Sequence, residues 1–207
     1  MGVYYFPANF VYWQQVKDHD KIKDVLLKEI YKREDINKYY YGNKGLYAAS
    51  TSYKSDENLL NGHDQNTIKN IVWDPLENAI AELNSRDSTK KISFKESKIN
   101  ISWYTHYKEG GNFDKHNHFT NSDDSFSMIY ILKDENEHNQ TVFTEFTNEC
   151  ISTTSDYIEE TKFDTSNVKD IKEGSILIFP SSLYHHVRYV EKPGRITVAV
   201  NIGSWNH

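Results

Sequence analysis

Apolar residues recur every three to four positions through the first half of the chain and every second position through the rest. In KDHDKIKDVLLKEIYKRED, Ile22, Val25, Leu26 and Ile30 alternate with charges at the spacing of an amphipathic helix. In NTIKNIVWDPLENAIAEL, Ile68, Ile71, Val72, Leu76, Ile80 and Leu83 form a second stripe. There Asp74-Pro75-Leu76-Glu77 has the form of a capping box with proline at the first helical position, so the segment reads as one kinked helix or two short ones. Beyond residue 90 the period shortens, and β-branched and aromatic runs at 99–107, 126–132, 141–146, 175–179, 185–190 and 195–202 predict strands. In RITVAVNI, Ile196, Val198 and Val200 alternate with Arg195, Thr197, Ala199 and Asn201, which leaves one face of that strand polar.

These elements predict a mainly β fold with buttressing α-helices, a jelly-roll or barrel carried on one domain over 1–207. Residues 1–90 would be mostly helical support and 91–207 the β core. LKDENEHNQT and the stretch from Asn148 to about Val168 are rich in turn formers and are expected as loops at the rim. Neither an internal repeat nor a Gly/Ser or Pro linker divides the chain.

Composition narrows the partners. With 24 Lys and Arg against 30 Asp and Glu, the formal charge is -6, which argues against long nucleic acid as a partner. The single cysteine, Cys150, excludes an internal disulfide framework and a cysteine-rich zinc site, and it suits a reducing, cytoplasmic setting. The start MGVYYFPANFVYWQQV lacks a basic region leading into a long apolar run, so neither secretion nor membrane attachment is indicated.

The chemistry concentrates in two places. GGNFDKHNHF sets His116 and His118 two residues apart, and on an extended segment both would project to one side and could share a metal ion. Taken alone, such a pair is as readily two solvent-facing or hydrogen-bonded histidines. EGSILIFPSSLYHHVRYV then offers His185 or His186, of which a strand can turn only one inward. Arg195 lies on the polar face of the last strand, where a charge needs an anionic partner: a ligand carboxylate, or an Asp or Glu of the rim.

Taken together, Trp103, Gly110-Gly111, His116-Asn117-His118, Ser127 to Leu132, Phe179-Pro180-Ser181 with His185 and Val187, and Arg195-Ile196-Thr197 with Asn201 resemble a known family. It is the iron(II)- and 2-oxoglutarate-dependent oxygenases of the double-stranded β-helix fold, particularly small members found in phages and bacteria. The resemblance implies that His116, His118 and His185 hold Fe(II), and that Arg195 with Thr197 grips the distal carboxylate of 2-oxoglutarate. It implies Tyr107 as a further contact to that cosubstrate, and dioxygen and an unidentified organic substrate as the remaining partners. The implied reaction is hydroxylation of a C–H bond with release of succinate and CO2.

Two departures stand out. Most relatives place a carboxylate where this chain has His118, so the ligand set is three histidines unless Asp114 or a rim residue such as Asp123 contributes. Many relatives have a tyrosine where Ile131 stands, and Ser127 would then supply the missing hydroxyl. Two rival classes remain. A cupin-type metalloenzyme without 2-oxoglutarate would use Asp123 as its acid ligand and leave Arg195 idle. A non-catalytic jelly-roll binding module would use Tyr39, Tyr40 and Tyr41 as a recognition surface.

Overall fold

A computed structural model describes residues 9–36, 40–41, 49–51, 58–86, 97–118, 124–135, 141–144 and 162–204. Its strands are β1 (Tyr12–Gln15), β2 (Tyr40–Tyr41), β3 (Ala49–Thr51), β4 (Ser97–Tyr107), β5 (Phe113–His116), β6 (Asp124–Asp134), β7 (Thr141–Thr144), β8 (Lys162–Asp164), β9 (Ser175–Pro180), β10 (Tyr184–Val187) and β11 (Arg195–Ser204). They form two antiparallel sheets, a larger one in the order β1-β9-β6-β11-β4-β3-β2 and a smaller one in the order β5-β10-β7-β8. This is the jelly-roll arrangement of a double-stranded β-helix, and the mainly β architecture expected from the alternating runs.

The period of two divides the larger sheet's work between its faces. Ile196, Val198, Val200 and Ile202 of β11, with Tyr104, Met128, Tyr130, Ile176 and Ile178 of its neighbours, pack beneath the helical layer. That layer is α1 (His19–Ile36) and a run made of α2 (Gln65–Ile68), a π-helical turn (Lys69–Trp73) and α3 (Asp74–Arg86). Ile22, Leu26 and Ile30 are the residues of α1 that reach the core, whereas Val25, off their stripe, is 49% exposed. On the opposite face Ile129, Ile131, Leu177 and Phe179 meet Phe143 and Leu183 from the side of the smaller sheet. There Phe143 and Phe179 lie edge to face at 4.8 Å.

Several expectations need correction. Of the two alternatives for the second helical segment the single run is found, but its N-cap is Asp64, whose side chain accepts from the backbone N–H groups of Asn66 and Thr67. Asp74 is itself helical (φ -61, ψ -46), so no capping box forms there. Pro75 has no N–H to bond four residues back, and the ladder widens to a π turn just before it, with the Asp74 N–H reaching the Lys69 carbonyl. The first 90 residues also contribute strands: β1 pairs with β9, and β2 and β3 extend the larger sheet beyond β4. Edge strands this short carry too few positions to show a period. β8 and the 3₁₀ turn at Thr165–Asn167 fall inside the stretch expected as loop, while Arg188 to Val190 leave the strand that runs only to Val187.

Candidate active site

The first two histidines do not share a strand. β5 ends at His116, and His118 sits in a bend, its backbone N–H held by the Ser181 carbonyl at 2.8 Å. His116 instead faces His185 directly across the β5–β10 ladder. β10 alternates so that His185 is buried and His186 turns the other way. The three rings converge: the centroids lie 4.4 Å apart for His116 and His185, 5.0 Å for His118 and His185 and 5.2 Å for His116 and His118. One nitrogen from each lies within 4.8 Å of the other two.

In every ring Nδ1 is occupied. His116 Nδ1 lies 2.7 Å from the Asp114 carbonyl, His185 Nδ1 lies 3.2 Å from the Leu183 carbonyl, and His118 Nδ1 lies 2.7 Å from Asn201 Oδ1. An oxygen that only accepts requires an N–H at Nδ1, which leaves the Nε2 lone pair free. Burial makes the charged form costly and lowers all three pKa values. His118 falls to about 4 despite its bond to Asn201, and His185, with the other two imidazoles beside it, falls well below the usual value. Three neutral imidazoles are therefore presented together, which is the form that ligates a metal.

The far end of the same cavity is cationic. Arg195 is 2% exposed; its Nη2 donates to Thr141 Oγ1 at 2.9 Å, and its Nε and Nη1 have no acceptor among the described residues. Its guanidinium lies 5.2 Å from the centre of the Tyr107 ring. The Tyr107 hydroxyl bonds Thr197, and burial raises its pKa although the Arg195 charge opposes the rise, so it stays a phenol. The cavity measures about 370 Å³ and is lined by Trp103, Thr105, Tyr107, Thr141 and Arg195 together with the three histidines. Thr141 stands opposite Val187, two residues along β10 from His185, a step of about 7 Å.

His116, His118, His185, Arg195, Thr197 and Tyr107 are thus brought to one cavity. Ser127 is not. It pairs with Asn201, four residues along β6 from Ile131, and its hydroxyl bonds Asn201 Oδ1 and Ser181 Oγ, each at 3.0 Å. The hydroxyl beside the guanidinium is that of Thr141, which sequence reasoning missed because its strand enters from the other sheet. Asp114 offers His116 its backbone carbonyl, its side chain is exposed, and it is not part of the histidine group. Asp123 lies outside the described residues, as does Tyr39, and of Tyr40 and Tyr41 only the backbone is described. Two further polar residues, Asn100 and Asp124, line the cavity on the side of His118.

Residues 101–201, from β4 to most of β11, match the family model described as "Putative 2OG-Fe(II) oxygenase". That segment carries all three histidines and the arginine, and over it the chain is similar to the 2OG-Fe(II) oxygenases. Among solved structures it is similar to OsALKBH1, with a TM-score of 0.60 at 13% identity over 96% of this chain and 100% of that one. It is also similar to a Trichoplax adhaerens prolyl hydroxylase in complex with a hypoxia inducible factor peptide fragment (TM-score 0.53, 13% identity, 94% and 83% covered). A third is the viral collagen prolyl hydroxylase of Paramecium Bursaria Chlorella virus-1 in its 2OG complex (TM-score 0.53, 12% identity, 95% and 97% covered). At such identities these likenesses are of fold. No curated protein matches the chain.

Proposed function

We propose that this protein is a dioxygenase in which His116, His118 and His185 hold Fe(II), while Arg195, flanked by Thr141, Thr197 and Tyr107, holds the distal carboxylate of 2-oxoglutarate. The observation that carries the reading is a buried guanidinium, two of whose nitrogens find no acceptor among the described residues, in the same cavity as three neutral imidazoles. A buried charge left unpaired costs several kcal/mol, and a bidentate carboxylate offsets that cost. Iron suits an all-imidazole set, and three ligands leave room for a chelating cosubstrate and dioxygen. When bound, iron and 2-oxoglutarate supply the oxidation, in which dioxygen is consumed, the cosubstrate becomes succinate and CO2, and an organic substrate is hydroxylated.

The chain's own residues bind, orient and exclude water. Nδ1–H bonds aim the imidazoles; Trp103, 5.5 Å from the His118 ring, shields that ligand, and Ile129 and Ala199 line the wall. Neutral ligands leave the metal its full double charge, which favours a dianionic cosubstrate. A cupin-type metalloenzyme gives Arg195 no task, and a non-catalytic binding module gives the three clustered histidines none. Among the described residues no helix is long and apolar enough to cross a membrane.

Anaerobic addition of Fe(II) and 2-oxoglutarate is expected to produce a visible charge-transfer band, with succinate formed on admitting air. His185→Ala should abolish both. Failure of the wild-type protein to take up a stoichiometric metal, together with no succinate in air, would end this reading.

A further inference from the structure

His116 and His185 lean on main-chain carbonyls, whose polarity cannot reverse. His118 leans on the side-chain amide of Asn201, and an amide can turn over to present N–H₂ instead of oxygen. Were it to do so, His118 Nδ1 would become the acceptor, the proton would move to Nε2, and the lone pair facing the other two rings would be lost. Something must hold the amide one way round.

The geometry points to Asp124 as that positioning residue, acting on His118 through Asn201. The Asp124 carboxylate is 7% exposed; Oδ2 accepts from Asn201 Nδ2 at 3.1 Å and Oδ1 accepts from Asn100 Nδ2 at 2.6 Å. An ionised carboxylate only accepts, so the nitrogen of Asn201 must face it and the oxygen must face His118. Ser127 also donates to that oxygen at 3.0 Å, yet its hydroxyl cannot fix the amide by itself, because it can rotate its hydrogen to Ser181 Oγ at the same distance. Polarity is thus handed inward along Asp124, Asn201 and His118. Asp124 opens β6, beside β11, and is not part of the ladder that carries His116 and His185. It is not among the clustered ligands, so its part is orientation and not coordination.

This inference rests on the reading of the three histidines as metal ligands, but the proton on His118 can be read without a metal. Long-range ¹H–¹⁵N correlation spectra of the metal-free protein at pH 8 report which nitrogen of each histidine is protonated. In the wild type all three should carry the proton on Nδ1. Asp124→Asn, nearly isosteric, can donate as well as accept, so Asn201 is free to turn over and His118 should show a mixture of both forms. His116 and His185 should be unchanged, and Mn(II) or Fe(II) affinity should fall about 10- to 100-fold, the usual effect of losing an outer partner. The double variant D124N/N201D reverses the pair: the amide now at position 124 donates to a carboxylate at position 201 that only accepts, so His118 should return to the Nδ1–H form.

If Asp124→Asn leaves His118 wholly in the Nδ1–H form with metal affinity unchanged, the relay is refuted. A variant with altered spectra throughout would signify misfolding, and the double variant then decides, since a folded double with a mixed His118 refutes the relay as well. Should the tautomers respond as expected while the wild type binds no metal, the relay stands and the metal reading fails.

Discussion

The two faces of β11 are built to opposite rules. Toward the helices, Ile196, Val198, Val200 and Ile202 are fully buried among other apolar side chains, the arrangement that stabilises a sheet. Toward the cavity, one residue out of phase, Arg195, Thr197 and Asn201 are nearly as buried, at 2%, 4% and 4% exposure, but polar, and two nitrogens of the arginine have no partner among the described residues. Burial alone therefore says little about what a residue is for. Burial against unlike chemistry, with hydrogen-bonding capacity unspent, marks the face that awaits a ligand.

The sharpest test replaces Arg195 by methionine. Removing the partner of a buried carboxylate costs about 3–5 kcal/mol, so 2-oxoglutarate affinity, read by the charge-transfer band or calorimetry, should fall about 10²- to 10⁴-fold. Stability without ligand should hold or rise, because an unpaired buried charge has gone. A loss of stability in R195M that matched the loss of affinity would erase the contrast between the faces.

Its neighbour should behave in the opposite sense. Ile196→Ala empties a site that is fully buried under the helical layer, and chemical denaturation should register a loss of about 2–5 kcal/mol. Metal content and cosubstrate affinity per folded molecule should stay those of the wild type. Changed affinity would mean that the two faces communicate.

A third and smaller effect concerns pH. The unfolded chain takes up protons on its histidines near pH 6.5, whereas folded His118 resists until about 4. Between those values the unfolded state binds more protons, so the metal-free fold loses stability as pH falls through that window and regains it as pH rises. His118 accounts for about 3 kcal/mol of this, at ~1.36 kcal/mol per pKa unit. Urea titrations at pH 7.5 and 4.5 should show the decline, and it should be smaller by most of that amount in His118→Gln. An equal decline in both proteins would show that His118 is not the group held neutral.

Much of this contrast was legible beforehand. The alternation in RITVAVNI placed Arg195 and Thr197 on one face, and the H-x-H with a later His at the head of an apolar strand picked out the histidines that meet. What was not legible depends on register and on where strands stop. Nothing in FDKHNH shows that β5 ends at His116 and that a bend delivers His118. Thr141 became the arginine's neighbour only through sheet-to-sheet packing, while Ser127, suggested by its place in the strand motif, lies at the wrong end of β6. Asp124 follows Ser122 and Asp123 in a polar run, and no local pattern marks it as a carboxylate that will be buried. The Asp-Pro-Leu-Glu signal misled because a proline can widen a helix that has already begun.

The ladder that sets His116 opposite His185 joins points 69 residues apart (185 − 116) in the sequence. Closing so long a loop costs an unfolded chain about 4 kcal/mol, so a cation could not draw these donors together early, as it does when they sit a few residues apart in a finger. A metal here would arrive last, as a rivet through a finished assembly. Stripping it away should loosen the short edge of the smaller sheet before it disturbs the helices behind the larger one.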